Sequence, residues 1–255
     1  MKKVSSNAIC KCCGSSDLES FYRVEGIPVH SCLMVASRAE ALEFPRGNLE
    51  LSFCRSCGFI QNSLFDPERL RYSTDYEETQ GFSERFRRFQ TELCKQQIEK
   101  FDLRGKRALE IGCGKGECAV ELGELGEMSG IGIDPSYRPE RTSSPAAGRI
   151  EFIQDFYSES HSHLRADYLC CRHTLEHIPD VREFVTMVRR TLDDAPETIV
   201  FFELPEMDRV LEEQAFWDIY YEHCTYFTPG SLARLFRAAG FEILDLYKDY
   251  DDQYL

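Results

Sequence analysis

The stretch Ala108-Leu109-Glu110-Ile111-Gly112-Cys113-Gly114-Lys115-Gly116, followed by Gly130-Ile131-Gly132-Ile133-Asp134, constrains this chain most. An apolar run that ends in a glycine-rich turn reads as a strand feeding a helix. The second run reads as a neighbouring strand that ends in a carboxylate. Glycines let the turn tighten and let a ligand press against the backbone. The helix that follows offers free N–H groups and the positive end of its dipole to the same spot. A carboxylate at the end of the second strand is placed to accept from both ribose hydroxyls of an adenosine. The pattern predicts a site for an adenosine-containing cofactor.

Glycine spacing narrows the cofactor. A dinucleotide fingerprint reads G-x-G-x-x-G/A, whereas here the glycines fall as G-x-G-x-G and Glu117 takes the place of the third. Glu117 and Glu110 would set negative charge beside a pyrophosphate, which suits a cationic cofactor better. The pattern Glu110-x-Gly112-x-Gly114-x-Gly116 resembles the first motif of class I S-adenosylmethionine (SAM) methyltransferases. The resemblance implies that Glu110 lies near the cationic methionyl part and that Asp134 holds the ribose. Asp155, after the third strand, is placed to accept from an adenine amino group with Phe156 beside the ring, or to cap the turn that follows.

The chain has 255 residues, 42% of them hydrophobic, enough for one large domain or two modest ones. Its formal charge of −14 argues against a nucleic-acid groove, which needs clustered Lys and Arg. No apolar run reaches the length of a membrane span, and Met1-Lys2-Lys3-Val4-Ser5-Ser6 lacks a secretory apolar core. The expectation is a cytoplasmic, monomeric protein with a small-molecule partner and neither nucleic acid nor membrane.

Three stretches follow one another: 1–70, cysteine-bearing and turn-rich; 71–104, a linker and a helix with Phe82, Phe86, Phe89, Leu93, Gln97 and Phe101 at helical spacing; and 105–255, alternating strands and helices. Strands are expected at Arg107–Ile111, Ser129–Asp134, Glu151–Gln154, Ala166–Cys171, Thr198–Leu204 and Phe241–Tyr247. Helices are expected at Val181–Leu192 and Gly230–Ala239, and a loop over 142–148. Such alternation predicts an α/β, doubly wound parallel sheet. Asp249 to Asp252 read as a turn between antiparallel strands, with Gln253-Tyr254-Leu255 opening the second. So short a final strand reads as a chain truncated from a longer protein.

Cys10-Lys11-Cys12-Cys13-Gly14 and Cys54-Arg55-Ser56-Cys57-Gly58 are paired C-x-x-C-G knuckles. Each turns two thiolates toward one centre, and four thiolates make the closed tetrahedral set of a structural zinc ion. Cys10, Cys13, Cys54 and Cys57 are the expected ligands, with Cys12 as the alternative to Cys10. Cys32, Cys94, Cys113, Cys118, Cys170, Cys171 and Cys224 read as small apolar fillers.

Two histidine-bearing segments follow late strands. In Arg172-His173-Thr174-Leu175-Glu176-His177-Ile178-Pro179, Arg172 and His173 are expected on the cofactor floor, with Glu176 and His177 fixing the loop. The four-residue spacing of the histidines also suits a metal, but Pro179 argues against a continuing helix. In Ile219-Tyr220-Tyr221-Glu222-His223, proton-active groups sit in an aromatic stretch that excludes water. His223 is the candidate general base, and Glu222 or Tyr220 would fix its tautomer.

With these residues in hand, the whole chain resembles the SAM-dependent C-methyltransferases that act on nucleotide-activated deoxysugars. The knuckles, the glycine turn, Asp134 and both histidine segments occur in the family's order. The resemblance implies a class I methyltransferase core with a Rossmann-like, mostly parallel seven-stranded sheet, a small N-terminal zinc-binding domain, and a further C-terminal domain that this chain lacks. It also implies an aromatic approach to the cofactor through Tyr72 and Tyr76, and proton abstraction by His223, with Tyr220 and Glu222, before in-line methyl transfer. The family reads Tyr-His-Glu-His where this chain has Tyr220-Tyr221-Glu222-His223, and Tyr76-Glu77-Glu78-Thr79-Gln80-Gly81-Phe82-Ser83 departs from a serine-rich form. Both departures point to a sub-branch whose acceptor need not be a sugar nucleotide. O- or N-methylation of a small molecule, or a non-catalytic binding module on the same fold, are the alternatives.

Overall fold

Apolar runs that alternate with amphipathic helices can each be covered by the next helix, and most of those expected here pair as strands. The fold, seen in a computed structural model, is described for residues 2–3, 8–72, 75–141 and 144–255. Thr142 and Ser143, in the loop expected over 142–148, lie outside the described residues. In chain order the strands are β1 (Lys2–Lys3), β2 (Leu18–Pro28), β3 (Arg46–Cys54), β4 (Ile60–Asn62), β5 (Arg107–Ile111), β6 (Ser129–Ile133), β7 (Ile150–Ile153), β8 (Tyr168–Arg172), β9 (Ile199–Glu203) and β10 (Thr225–Tyr226). The helices are α1 (Arg38–Glu43), α2 (Glu84–Lys100), α3 (Glu117–Gly126), α4 (Val181–Thr191), α5 (Met207–Glu213) and α6 (Pro229–Ala238).

The chain divides into two compact units. One spans Tyr72–Arg172 and Thr191–Phe202 and carries the five-stranded sheet, ordered β7-β6-β5-β8-β9. β5 pairs parallel with both β6 and β8, and β6 with β7. The chain's path across the sheet reverses at β5, and such a reversal opens a ligand crevice at the carboxyl ends of the strands. Helix α2 begins at Glu84, not at Phe82, because the Ser83 side chain accepts from the Phe86 N–H and caps it. Phe86, Gln90, Leu93, Cys94, Gln97 and Ile98 form its buried face. Cys94 and Ile98 join Leu103, Ala108, Cys118, Leu122, Met128, Tyr168 and Cys170 in the core.

Seven strands are expected in this sheet and five are present among the described residues. Phe241–Tyr247 forms no strand, and Leu244 is 64% exposed. A segment with no ladder partner gains nothing from extended pairing over hydration. Tyr254 and Leu255 make antiparallel contacts within the other unit, outside this sheet. Leu204 and Leu255 exchange backbone hydrogen bonds of 3.1 and 2.8 Å, and Asp249 and Tyr254 exchange the pair that closes the turn expected over 249–252.

The other unit spans Met1–Arg71, His173–Arg190 and Glu203–Leu255. Its sheet, ordered β1-β2-β3-β4-β10, is antiparallel, and its last strand comes from far along the chain. Residues 1–70 therefore do not close this sheet alone. In β3, Gly47, Leu49 and Leu51 alternate inward, and the leucines pack with Ile60, Met207, Val210, Ala215 and Tyr226. Among the described residues no helix is long and apolar enough to cross a membrane.

Candidate active site

In the parallel-sheet unit, β5 runs into the glycine turn and α3 leaves it. Gly116 caps α3 in the left-handed region at φ +82°. A Cβ there would stand 2.5 Å from the Phe152 ring, so only glycine fits. The Gly114 N–H donates to Asp134 Oδ2 at 2.9 Å. Asp134 Oδ1 accepts from the N–H and the hydroxyl of Ser136. Asp134 thus locks the turn against the end of β6. The three bonds it accepts leave about one of roughly four lone-pair positions for a ligand.

Glu110 is buried, and its Oε2 has no hydrogen-bond partner. Burial, and then the neighbouring Cys118 sulfur, raises its pKa well above the carboxylate range despite Arg172. Glu78 stands against the turn: its Oε1 is 2.5 Å from where a Gly114 Cβ would lie, and both its oxygens are buried without a hydrogen bond. Burial raises its pKa too, and the Lys115 ammonium partly offsets this. Lys115 itself is buried and donates to the carbonyls of Tyr76 and Ser136, both at 2.8 Å, tying residues 76–78 to the turn. Cys113, inside the turn, is pushed up by burial and then by Glu110, Asp134 and Glu78. Three carboxylates therefore converge on this turn.

The other residues expected at the cofactor are nearby or differently occupied. Tyr76 is buried, its ring 5.2 Å from Tyr72, and Tyr72 in turn meets Phe156 edge-on at 6.4 Å. Asp155 Oδ1 accepts from the Phe156 N–H at 2.7 Å. Arg172 is buried and donates to Gln90 Oε1 at 3.0 Å. The contacts with the Cys170 and Cys94 thiols, and then Arg172, lower the Cys118 pKa below its ordinary value. Sequence reasoning missed Glu78, Lys115 and the Tyr137 ring that stacks on Phe152 at 4.0 Å. The one signal was the departure of the 76–83 segment from its relatives.

In the other unit a second set of proton-active groups meets. His223 is buried, its Nε2 2.6 Å from the Tyr220 hydroxyl and its Nδ1 3.2 Å from the Asp218 carbonyl. A carbonyl only accepts, so Nδ1 carries the proton, and Nε2 accepts from Tyr220. Burial, then the neighbouring His177, lowers the His223 pKa well below the usual range, so the imidazole is neutral. Burial also raises Tyr220, which keeps its proton.

Glu222 differs from expectation. Its Oε1 meets His30 Nδ1 at 2.8 Å, and its Oε2 accepts from the N–H and hydroxyl of Ser31 at 2.6 and 2.5 Å. The Arg71 N–H donates to His30 Nε2, so His30 Nδ1 is the end that donates to Glu222. Glu222 thus anchors the His223 segment to residues 30–31, and Tyr220 is the group on the imidazole. Tyr221, at the departure from the family pattern, packs its ring on Gly47, where a Cβ would come within 2.2 Å, and accepts from the Asp66 N–H.

His173 also differs from expectation. It takes the left-handed conformation at φ +47°, uncommon for a residue with a Cβ. Its Nε2 lies 2.8 Å from Glu203 Oε1 and its Nδ1 3.8 Å from Glu176 Oε1. The imidazole therefore stands between two buried carboxylates. Burial pushes Glu176 up to about 7, against the pull of His173. The His177 ring meets His223 edge-on at 5.0 Å. The two histidines that meet are thus His177 and His223, not the helically spaced His173 and His177.

The knuckles bring Cys10, Cys13, Cys54 and Cys57 together, with all four sulfurs within 4.8 Å of one another. Cys10 faces Cys57, and Cys13 faces Cys54, each pair at 3.6 Å. Gly14 and Gly58 follow at φ +78° and +77°, and each donates its N–H to the first cysteine's carbonyl at 2.8 Å. Cys12 is outside the set.

A family model described as a methyltransferase domain matches residues 83–246. The C-methyltransferase NovU of Streptomyces niveus is 25% identical over 249 residues, which cover 93% of this chain and 57% of NovU. The ubiquinone biosynthesis O-methyltransferase of Neisseria meningitidis serogroup C is 27% identical over 166 residues, 56% of this chain and 67% of that protein. Among solved structures, the N,N-8-amino-8-demethyl-D-riboflavin dimethyltransferase RosA from Streptomyces davawensis superposes with a TM-score of 0.51 at 18% identity, over 66% of this chain and 53% of RosA. The fold is that of α/β class I methyltransferases.

Proposed function

This chain belongs to the methyltransferase-domain family, and we propose that it moves the methyl group of S-adenosyl-L-methionine onto a carbon beside a ketone in a small acceptor of the kind that includes nucleotide-activated keto sugars. The observation that carries the reading is a pair of carboxylates against a glycine turn: Glu110, whose buried Oε2 has no hydrogen-bond partner, and Glu78, whose two buried oxygens make no hydrogen bond and have the Lys115 ammonium 3.5 Å away. Such groups are costly without a partner, and a cationic ligand offsets that cost. When bound, S-adenosyl-L-methionine supplies an activated methyl group on a positively charged sulfur. Glu110 and Glu78 face that charge, the turn offers its backbone, and Asp134 takes one ribose hydroxyl rather than both. Tyr76, Phe156 and Asp155 flank the adenosine. Arg172 sustains Glu110 from behind.

His223 takes the proton from the acceptor carbon on Nε2. That requires the Tyr220 hydroxyl to leave Nε2, and the released hydroxyl then donates to the oxygen that becomes the enolate. Asp218 holds the imidazole in the right tautomer throughout, and Glu222 holds the segment. The name of NovU, a C-methyltransferase, agrees with a carbon acceptor. The formal charge of −14 argues against a nucleic-acid partner, and the protein is taken to work as a monomer apart from membranes.

The knuckle sulfurs fit a structural zinc ion. Ligands about 2.3 Å from a tetrahedral ion stand about 3.8 Å apart, and the facing pairs here stand at 3.6 Å. The contact with Cys57, then burial, pushes the Cys10 thiol up, and a cation would reverse that. Zinc there would tie residues 10–13 to 54–57.

Calorimetry with SAM, run beside turnover of a keto-sugar nucleotide, tests the reading. His223→Ala should lower turnover by about 10²–10⁴-fold and leave SAM affinity within about twofold. It should also stop deuterium uptake at the acceptor carbon in heavy water. Loss of SAM binding in that variant, or turnover that survives it as O-methylation would, overturns the role of His223.

A further inference from the structure

We propose that Glu176, His177 and His223 form a second metal site, for one divalent cation of the zinc or cobalt(II) kind, and that filling it silences His223 as a base. One ligand atom from each lies within 4.8 Å of the others. The three come from two segments that are stitched together. The Cys224 N–H donates to the Glu176 carbonyl at 2.9 Å, and the Thr225 hydroxyl donates to the Leu175 carbonyl at 3.0 Å. The donors are therefore held in place before any ion arrives.

The second observation is Glu176 itself. Its side chain is 3% exposed, its Oε1 is turned toward His173, and its Oε2 is buried with no hydrogen-bond partner. A buried carboxylate oxygen of that kind points to a missing ligand. Burial keeps the His223 imidazole neutral, the form that binds metals. His177 is only partly buried, which gives a cation a way in. Two imidazoles and one carboxylate suit zinc, with coordination positions left open. The other buried carboxylate cluster, Glu110 with Cys118 and Cys170, differs because the Arg172 guanidinium already serves it.

His223 has one lone pair to give. With Nδ1–H on the Asp218 carbonyl, that pair is on Nε2, where the Tyr220 hydroxyl now donates. A cation, the Tyr220 proton and the acceptor proton compete for it. Metal occupancy and proton abstraction thus exclude each other. This silencing half rests on the role proposed for His223, whereas the binding half stands on the ligand geometry alone.

The full chain, first loaded with one equivalent of zinc, is titrated with cobalt(II) and followed in the visible spectrum. A second equivalent should bind with nitrogen–oxygen d–d bands and no thiolate charge transfer. His177→Ala and Glu176→Gln should each weaken it by about tenfold or more, and Tyr220→Phe, which removes the competing proton, should tighten it. Zinc at the same concentrations should lower turnover, and a chelator should restore it. Failure of a second equivalent to bind, or binding that His177→Ala leaves unchanged, overturns the site. Binding without loss of turnover overturns the silencing alone. Turnover that survives His223→Ala removes the base without touching the cobalt result.

Discussion

The glycine-turn cradle and the histidine cluster each hold a buried carboxylate with an unpartnered oxygen, Glu110 and Glu176, but they are built in opposite ways. The cradle comes from one strand-turn-helix and the end of its neighbour, so its residues are close in sequence. The cluster is gathered from residues 173–177, Glu203, residues 218–225 and Tyr254. Their partners differ as well. Glu110 faces Arg172 and thiols, whereas Glu176 faces imidazoles. A carboxylate near a fixed cation is partly served by it and keeps only its free oxygen for a further ligand, while one beside titratable rings can exchange protons or take a metal. Burial supplies the need for a partner, and the neighbours decide which partner fits.

The largest expected effect on the cradle alone comes from Gly116→Val. Left-handed backbone and collision with Phe152 together cost about 2–4 kcal/mol. Urea denaturation and SAM calorimetry should share that loss between them, while deuterium exchange at the acceptor carbon, carried by the cluster, persists. If stability and SAM affinity both hold, the turn does not have this geometry.

Next in size is Glu222→Gln. It breaks a buried set of three accepted hydrogen bonds, at about 1–3 kcal/mol of stability. The midpoint of thermal unfolding should drop, and the turnover of the folded fraction should change little. A stable variant with no turnover would instead make Glu222 the base.

Glu110→Gln gives a smaller effect with a definite sign. Its raised pKa means the folded chain keeps a proton that the unfolded chain loses, so cofactor-free stability falls as pH climbs through and above the carboxylate range. A cationic ligand reverses the preference and expels the proton. Heats of SAM binding should therefore depend on the buffer's ionisation enthalpy, and Glu110→Gln should remove that part. Buffer-independent heats in the native chain would show that Glu110 is already ionised. Smallest is Tyr221→Phe, which loses the bond from the Asp66 N–H at about 0.5–1.5 kcal/mol. Its turnover should match the parent, and a large drop would bring Tyr221 into the chemistry.

Much of the cradle was legible because its chemistry is local. Strands β5 to β9 were readable to within one or two residues at each end, and Glu110, the glycines and Asp134 are contiguous with them. The knuckles were legible for the same reason, each being one turn of chain, though only the fold chose Cys10 over Cys12. Glu78 and Lys115 were not legible. A buried lysine reads as an exposed one until the backbone carbonyls it ties, those of Tyr76 and Ser136, are known. The expected strand at 241–247 failed because alternation says nothing about whether a partner edge is present.

From the sequence alone came the periodicities, the turn that only glycine can make, and the residue types able to bind a cation or move a proton. These depend on neighbours a few residues away, where the covalent chain fixes the distance. Which groups meet across the fold was decided by tertiary structure: Glu222 on His30 and Ser31 rather than on His223, His173 between two carboxylates, and His177 against His223. A hydrogen bond or a metal–ligand bond is satisfied or lost within a fraction of an ångström, and no local pattern carries that precision over a long loop of chain.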